Sequence, residues 1–164
     1  MLEYKYIYIF LILIGYIYAG TVTVHISSWD ELVNYKPQNK DDEYVFYLDK
    51  IISASNDAGD MLSQYSKIKI IGNGSKRRIY CTGTDLPALF KFSSSTDSLD
   101  FTLENVQISS CKYPQVVMDG QYVNVNLIDI EFSQNQDSAI QATSVKSVNI
   151  QNCKFRYIIL YVFV

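Results

Sequence analysis

The chain has 164 residues, of which 48% are hydrophobic and 14% aromatic, and its formal net charge is −3. This length suits one domain, and the apolar fraction is sufficient for a single hydrophobic core. A net charge this small provides no broad basic field, so we expect no nucleic-acid partner. The content of Tyr, Ile, Val and Ser favours strands over helices.

An apolar run occupies the start of the chain. Residues 6–19 follow Lys5 and the free amino terminus, and this run is shorter than the about 20 residues that a transmembrane helix needs. It predicts a signal peptide over residues 1–19, with Ala19 and Gly20 as small residues at the cleavage site. Ile17 is large for its position, so an uncleaved signal anchor is the alternative and the only membrane contact that we expect. In both cases the protein is secreted or held at the cell surface.

A short helix is predicted after the apolar run. Ser28 and Glu31 have the spacing of a capping box, in which the serine side chain accepts a backbone hydrogen bond at the start of a helix. Trp29, Leu32 and Val33 would form the apolar face of this helix. Residues 44–48 are then expected to form the first strand, and we assign residues 20–66 to an N-terminal cap and the first strands.

Three segments in the second half of the chain repeat one another. They cover residues 101–108, 125–132 and 148–155, and their equivalent positions are 24 and 23 residues apart. Apolar and polar residues alternate within each segment, as in a strand with one buried face. A repeat of this length built from such strands is typical of a β-solenoid. The predicted inward rows are Phe101/Val125/Val148, Leu103/Leu127/Ile150, Val106/Ile130/Cys153 and Ile108/Phe132/Phe155.

The alternation breaks once in each copy, at Asn105, Asp129 and Asn152. A slip of one residue would place every later side chain on the wrong face of the sheet. We therefore predict a sharp corner at these residues, because Asn and Asp tolerate left-handed backbone angles better than other non-glycine residues. In stacked coils the three side chains would lie about 4.8 Å apart and could hydrogen-bond as a ladder.

The remaining parts of each coil are also visible in the sequence. Short apolar runs at residues 88–92, 115–118 and 138–142 predict return strands. Residues 68–72 align with the first rows of the repeat at a spacing of 33, which gives Gly72 the corner position and predicts a looped-out insertion containing residues 76–78 and 82–84. We assign residues 67–156 to three to four coils.

The segments FTLENVQIS, VNLIDIEFS and VNIQNCKFR resemble the right-handed parallel β-helix of the pectin-lyase-like superfamily. In particular they are similar to secreted protist proteins that resemble polymorphic outer-membrane proteins. The resemblance implies an all-β, right-handed parallel β-helix whose first coil is covered by the short helix at Trp29. It implies little about activity, because one fold supports many functions. Residues 157–164 are uncharged and lack a turn, so we expect the apolar tail of an incomplete coil in a truncated member of this group. The alternative is a tail that folds back as a plug.

Cysteine and asparagine residues provide candidate modification sites. Cys153 falls in an inward row, where it would act as a small apolar residue. Cys81 and Cys111 lie in less regular parts of neighbouring coils and are a candidate disulfide, although their spacing does not prove the pairing. Asn73 begins the sequon Asn-Gly-Ser in a predicted loop and is a candidate glycosylation site.

No catalytic arrangement is apparent in the sequence. By the resemblance, an enzyme that cleaves polyuronides would need clustered carboxylates and a histidine or basic residue on adjacent coils. The only histidine, His25, precedes the predicted coils, and Asp97, Asp100 and Asp119 are scattered among turns. We predict no catalytic residue, no cofactor and no metal site.

The sequence therefore predicts a non-catalytic adhesive, recognition or structural role. The expected partners are extracellular glycans or cell-surface proteins, because solenoids present extended surfaces for recognition. The alternative is the N-terminal part of a carbohydrate-active β-helix enzyme, of the polysaccharide lyase or glycoside hydrolase type, whose catalytic coils are missing.

We predict that secretion removes residues 1–19. Because signal cleavage follows a small residue, mass spectrometry of secreted protein should identify Gly20 as the first residue. Secreted material that begins at Met1 would support the uncleaved anchor instead, and a soluble cytosolic protein would contradict both expectations.

Overall fold

The structure, a computed structural model, describes residues 19–55, 61–82, 88–156 and 161–162, the last two by their backbone alone. Fifteen strands lie in these ranges. They are β1 (Thr21–Ile26), β2 (Glu43–Leu48), β3 (Ile52–Ala54), β4 (Lys67–Gly72), β5 (Arg77–Cys81), β6 (Phe90–Ser93), β7 (Leu99–Glu104), β8 (Val106–Ser109), β9 (Val116–Asp119), β10 (Val123–Ile128), β11 (Glu131–Ser133), β12 (Ile140–Thr143), β13 (Ser147–Gln151), β14 (Lys154–Arg156) and β15 (Tyr161–Val162). The predicted signal peptide, apart from Ala19, lies outside the described residues.

The strands form three parallel sheets that the chain visits in turn. Sheet A has the order β1-β2-β4-β7-β10-β13, sheet B the order β3-β5-β8-β11-β14, and sheet C the order β6-β9-β12-β15. Each coil from β4 onward contributes one strand to each sheet. This arrangement is a parallel β-solenoid and confirms the predicted all-β fold.

The number of coils is about five, and the predicted three to four is wrong. Strands β2 and β3, which lie in the region assigned to the cap and first strands, already form a coil that stacks on β4 and β5. At the other end, β15 pairs with β12 and supplies the third strand of the last coil. Residues 161–162 of the predicted tail therefore continue the solenoid.

The core includes the inward rows that the repeat predicted. Phe101 pairs with Val125 and Val125 with Val148, and the rows that begin with Leu103 and Ile108 follow the same register. The inward side chains of the third and fourth coils are fully buried. Each such burial stabilises the fold by about 1.5–3 kcal/mol. In the last coil the inward side chains are less buried, and Ile150 is 36% exposed.

Helical segments cover the core at the N-terminal end of the stack. Helix α1 (Trp29–Val33) begins after Ser28, whose side chain accepts a hydrogen bond from the Glu31 backbone N–H at 3.2 Å. The Trp29 ring is buried and lies 5.7 Å from the ring of Phe90 in β6, the first strand of sheet C. A short 3-10 helix (Met61–Gln64) also packs beside β6. These segments shield apolar side chains where sheet C begins.

The first strand lies earlier in the chain than predicted. Residues 44–48 belong to β2, whereas β1 precedes them and pairs with β2 along six residues. His25 therefore lies on the first strand of sheet A, in register with Tyr47 of the first coil. The alternation in β1 is short and involves threonine, so its signal is weaker than that of the later repeats.

Gly72 does not have the backbone angles that its corner position predicted. It ends β4, and its φ is not among the positive values, unlike that of the neighbouring Gly74, which is 75°. A glycine is needed here because the backbone of the next coil passes close to position 72, and a Cβ atom would overlap the carbonyl oxygen of Asn105.

The expected looped-out insertion is also smaller than predicted. Arg77 and Arg78 open β5 and pair with Val106 and Gln107 of β8. Residues 73–76, between β4 and β5, form a longer corner, and residues 83–84 of the expected insertion lie outside the described residues.

We predict that Gly72→Ala lowers the free energy of unfolding by about 3 kcal/mol, because the added methyl group meets a backbone atom that cannot move independently. Gly74→Ala is the matched control in the same corner. Position 74 has open space but a positive φ, so we expect a smaller cost of about 1 kcal/mol. Chemical denaturation measures both values, and equal costs would contradict the close-approach explanation.

Candidate functional site

The predicted corner residues lie at one stacked corner between sheets A and B. Asn105, Asp129 and Asn152 have φ values of 55°, 56° and 53°. The Asn105 N–H donates to the carbonyl of Ile128 at 3.0 Å, and the Asp129 N–H donates to the carbonyl of Gln151 at 2.9 Å. One left-handed residue thus turns the chain while the backbone hydrogen bonds continue from coil to coil.

The side chains at this corner do not form the expected chain of hydrogen bonds. The Asn105 amide donates to the carbonyls of Gly72 at 2.8 Å and Gly74 at 3.1 Å. In the part of the chain that the structure describes, no hydrogen bond joins the side chains of Asn105, Asp129 and Asn152 to one another. The corner is therefore held by the backbone, and the Asn105 side chain closes the longer corner of the preceding coil.

A second left-handed corner, between sheets B and C, was not predicted. Ser110 and Gln134 follow β8 and β11 with φ values of 63° and 55°. Beside them the buried Asn135 side chain accepts from the Cys111 N–H at 2.9 Å and donates to the carbonyl of Ile108 at 3.3 Å. Ser110 and Gln134 occupy equivalent positions of the repeat, but neither residue type indicates a left-handed conformation.

The cysteines lie near this second corner and in the last coil. Cys81 and Cys111 form a disulfide that links the second coil to the third. Cys153 is a free thiol, half-buried in the inward row of the last coil. Burial raises the pKa of this thiol, which favours its protonated form.

The candidate glycosylation site lies on the surface at the corner after β4. Asn73 is exposed, and its side-chain amide donates to Asp49 at 2.6 Å. The Nδ1 atom of His25 lies 2.9 Å from the other carboxylate oxygen of Asp49. The hydrogen bond from Asn73, followed by that from His25, lowers the pKa of Asp49. This group joins β1 to the first and second coils at the surface.

The outward face of sheet A carries a row of polar side chains in register. Lys67 Nζ lies 3.3 Å from Glu43, the Asn124 amide donates to Asp100 at 2.6 Å, and the Ser147 hydroxyl donates to Asn124 at 2.7 Å. Register pairing places Lys67 beside Asp100, so the row continues across five strands. We call these five residues the sheet A polar row.

Three open grooves lie on the outside of the described solenoid. One of about 370 Å³ borders the sheet A polar row and includes Tyr122, Asp41 and Lys146. A second, of about 690 Å³, follows the ends of the sheet C strands and is lined mainly by serines. A third, of about 310 Å³, lies on sheet B between Arg78 and Arg156. We call the first the Tyr122 groove and the second the serine groove.

The acidic residues that the sequence singled out have separate surroundings. Asp97 accepts from the Ser94 hydroxyl and pairs with Lys40, and these contacts lower its pKa. Asp100 is in the sheet A polar row, and Asp119 lines the serine groove. Across the described ranges, no three His, Cys, Asp or Glu side chains are grouped so that they could hold a metal ion. In those same ranges no helix has both the length and the apolar composition to cross a membrane.

No family model, curated protein or solved structure matches this chain. The described residues form a parallel β-solenoid of about five coils with a helical cap at its N-terminal end.

We predict that Asp129→Asn leaves stability nearly unchanged, whereas Asp129→Val lowers the free energy of unfolding by about 1–3 kcal/mol. Valine is β-branched and does not tolerate the positive φ of this corner. Asn126→Val is the control, because position 126 is an outward strand residue of the same coil. Equal thermal stability of the Asp129→Asn and Asp129→Val proteins would show that the corner does not need a left-handed residue.

Proposed function

We propose that this protein is a secreted or cell-surface β-solenoid with a non-catalytic role in adhesion, recognition or structure. Its partners would be extracellular glycans or cell-surface proteins. The observation that carries this proposal is the sheet A polar row, in which consecutive coils present hydrogen-bonded side chains on a parallel sheet. Such a surface presents polar groups in fixed positions.

Fixed polar groups suit recognition because little side-chain freedom remains to be lost on binding. In the row, Asn124 is held by Asp100 on one side and by Ser147 on the other. Its strand is held by parallel neighbours on both sides. A partner would therefore meet donors and acceptors that are already oriented.

Several features support an extracellular location. A disulfide between Cys81 and Cys111 suits an oxidising compartment. Asn73 is exposed at the surface, as a glycosylation site must be. The apolar run at residues 6–19 supplies an entry signal. The sequence resemblance to secreted right-handed β-helices of the pectin-lyase-like superfamily agrees with the same location.

The proposal is tested by measuring binding and turnover with the same protein preparation. Purified protein is incubated with a panel of insoluble polysaccharides and with fixed cells, and the bound fraction is measured by sedimentation. The supernatant is analysed for new reducing ends and for unsaturated products that absorb ultraviolet light. Protein that has been reduced and heat-denatured is the control.

We expect binding to at least one polysaccharide or cell surface without release of products. Saccharide products that increase with time would contradict the non-catalytic role and support a carbohydrate-active enzyme. Absence of binding to every polysaccharide and cell type would leave a structural role and reject adhesion and recognition.

A further inference from the structure

We propose that the Tyr122 groove is a binding site for a neutral extended glycan, in which the Tyr122 ring stacks against one sugar residue. This inference rests on the proposed function and specifies the surface and the class of ligand. It is carried by one exposed aromatic ring, the oriented polar groups beside it, and the balance of charge around it.

Tyr122 is exposed although the backbone around it is fixed. It lies in the turn between sheets C and A, and the residue is 49% exposed. Its carbonyl accepts from the Leu99 N–H at 3.3 Å, and the Val123 N–H donates to the carbonyl of Gly120 at 3.1 Å. A Cβ atom at Gly120 would overlap the carbonyl oxygen of Ser94, so the turn packs tightly on the preceding coil. The ring is thus presented from a rigid turn.

The chemistry of the groove matches a sugar residue. An aromatic ring has an electron-rich face, which attracts the slightly positive C–H groups on the flat side of a sugar ring. Asp100 supplies acceptors, whereas Asn124 and Lys146 supply donors. Because Asp100 and Asn124 are hydrogen-bonded to each other, their positions are set before a ligand arrives.

The charges in the groove favour a neutral ligand. Two lysines, Lys67 and Lys146, line it together with two carboxylates, Asp41 and Asp100. Lys67 is also within 3.3 Å of Glu43, which lies on the adjacent strand. A polyanion would gain little attraction from such a balanced set and would lie close to the carboxylates.

The position of the groove favours an extended chain that lies along the solenoid axis. Its lining comes from successive coils along the stack. Lys67, Asp100 and Asn124 lie in β4, β7 and β10, whereas Asp41 precedes β2 and Lys146 precedes β13. Neighbouring strands are about 4.8 Å apart, so successive coils repeat polar groups at roughly the spacing of sugar rings. A volume of about 370 Å³ is at the lower end for ligand sites, which suits one or two rings in contact at a time.

The test is a titration of ¹⁵N-labelled protein with cellohexaose, mannohexaose and chitohexaose, followed by backbone amide shifts. We expect one of these oligosaccharides to shift the amides of Tyr122 and Asn124. Tyr122→Ala should weaken binding at least tenfold, whereas Tyr122→Phe should retain it within threefold, because the ring is kept. Tyr113→Ala, at the other end of sheet C, is the aromatic control and should bind as the unchanged protein does. Matching thermal melts and amide spectra show that each variant is folded.

Three results would overturn the proposal while leaving the proposed function intact. The first is unchanged affinity in Tyr122→Ala, and the second is amide shifts that map to the serine groove or to sheet B. The third comes from a parallel titration with oligogalacturonate, and it is preferential binding of this polyanion that weakens steeply with salt. A failure of all the neutral oligosaccharides to bind would also overturn it. If fixed cells still retain the protein in that case, the recognition role stands with a protein partner.

Discussion

The structure depends on a corner of one residue that keeps successive coils in register. The alternation of apolar and polar residues is shifted by one position at Asn105, Asp129 and Asn152. The left-handed backbone of these residues turns the chain, so the apolar side chains of the following strand still point inward. Without it, the side chains of sheet B would point to the wrong side, and the apolar rows could not stack. The corner is maintained by backbone hydrogen bonds between coils, whereas the Asn105 side chain binds the carbonyls of the corner below it.

The same register produces both the core and the surface. Phe101, Val125 and Val148 stack inside sheet A because the coils are aligned, and the outward neighbours Asp100 and Asn124 meet for the same reason. A recognition surface on a solenoid therefore needs no separate framework. It requires only suitable residues at outward positions of a repeat whose inward positions already fix the backbone.

Several elements escaped prediction because their causes lie outside their own segment. Strand β1 forms because β2 offers it a parallel partner over its whole length. Gly72 is required by the carbonyl of Asn105, a residue one coil away. Ser110 and Gln134 adopt left-handed angles although their side chains do not favour them, so the stacked coils impose the corner. In each case a contact between coils overrides a local preference.

The sequence by itself determined the alternation of buried rows, the repeat of 24 and 23 residues, and the corner at Asn105 and its equivalents. These follow from which side chains avoid water and from which residues tolerate a left-handed backbone. Only the tertiary structure decided which polar residues outside the regular repeat became neighbours of those within it. Tyr122, Lys146 and Asp41 are far apart in the chain and meet in one groove because the stacking of coils brings them together. The repeat relates positions that are 23 or 24 residues apart, but Asp41 lies outside the repeat, so its proximity to the others depends on the length of every turn between them.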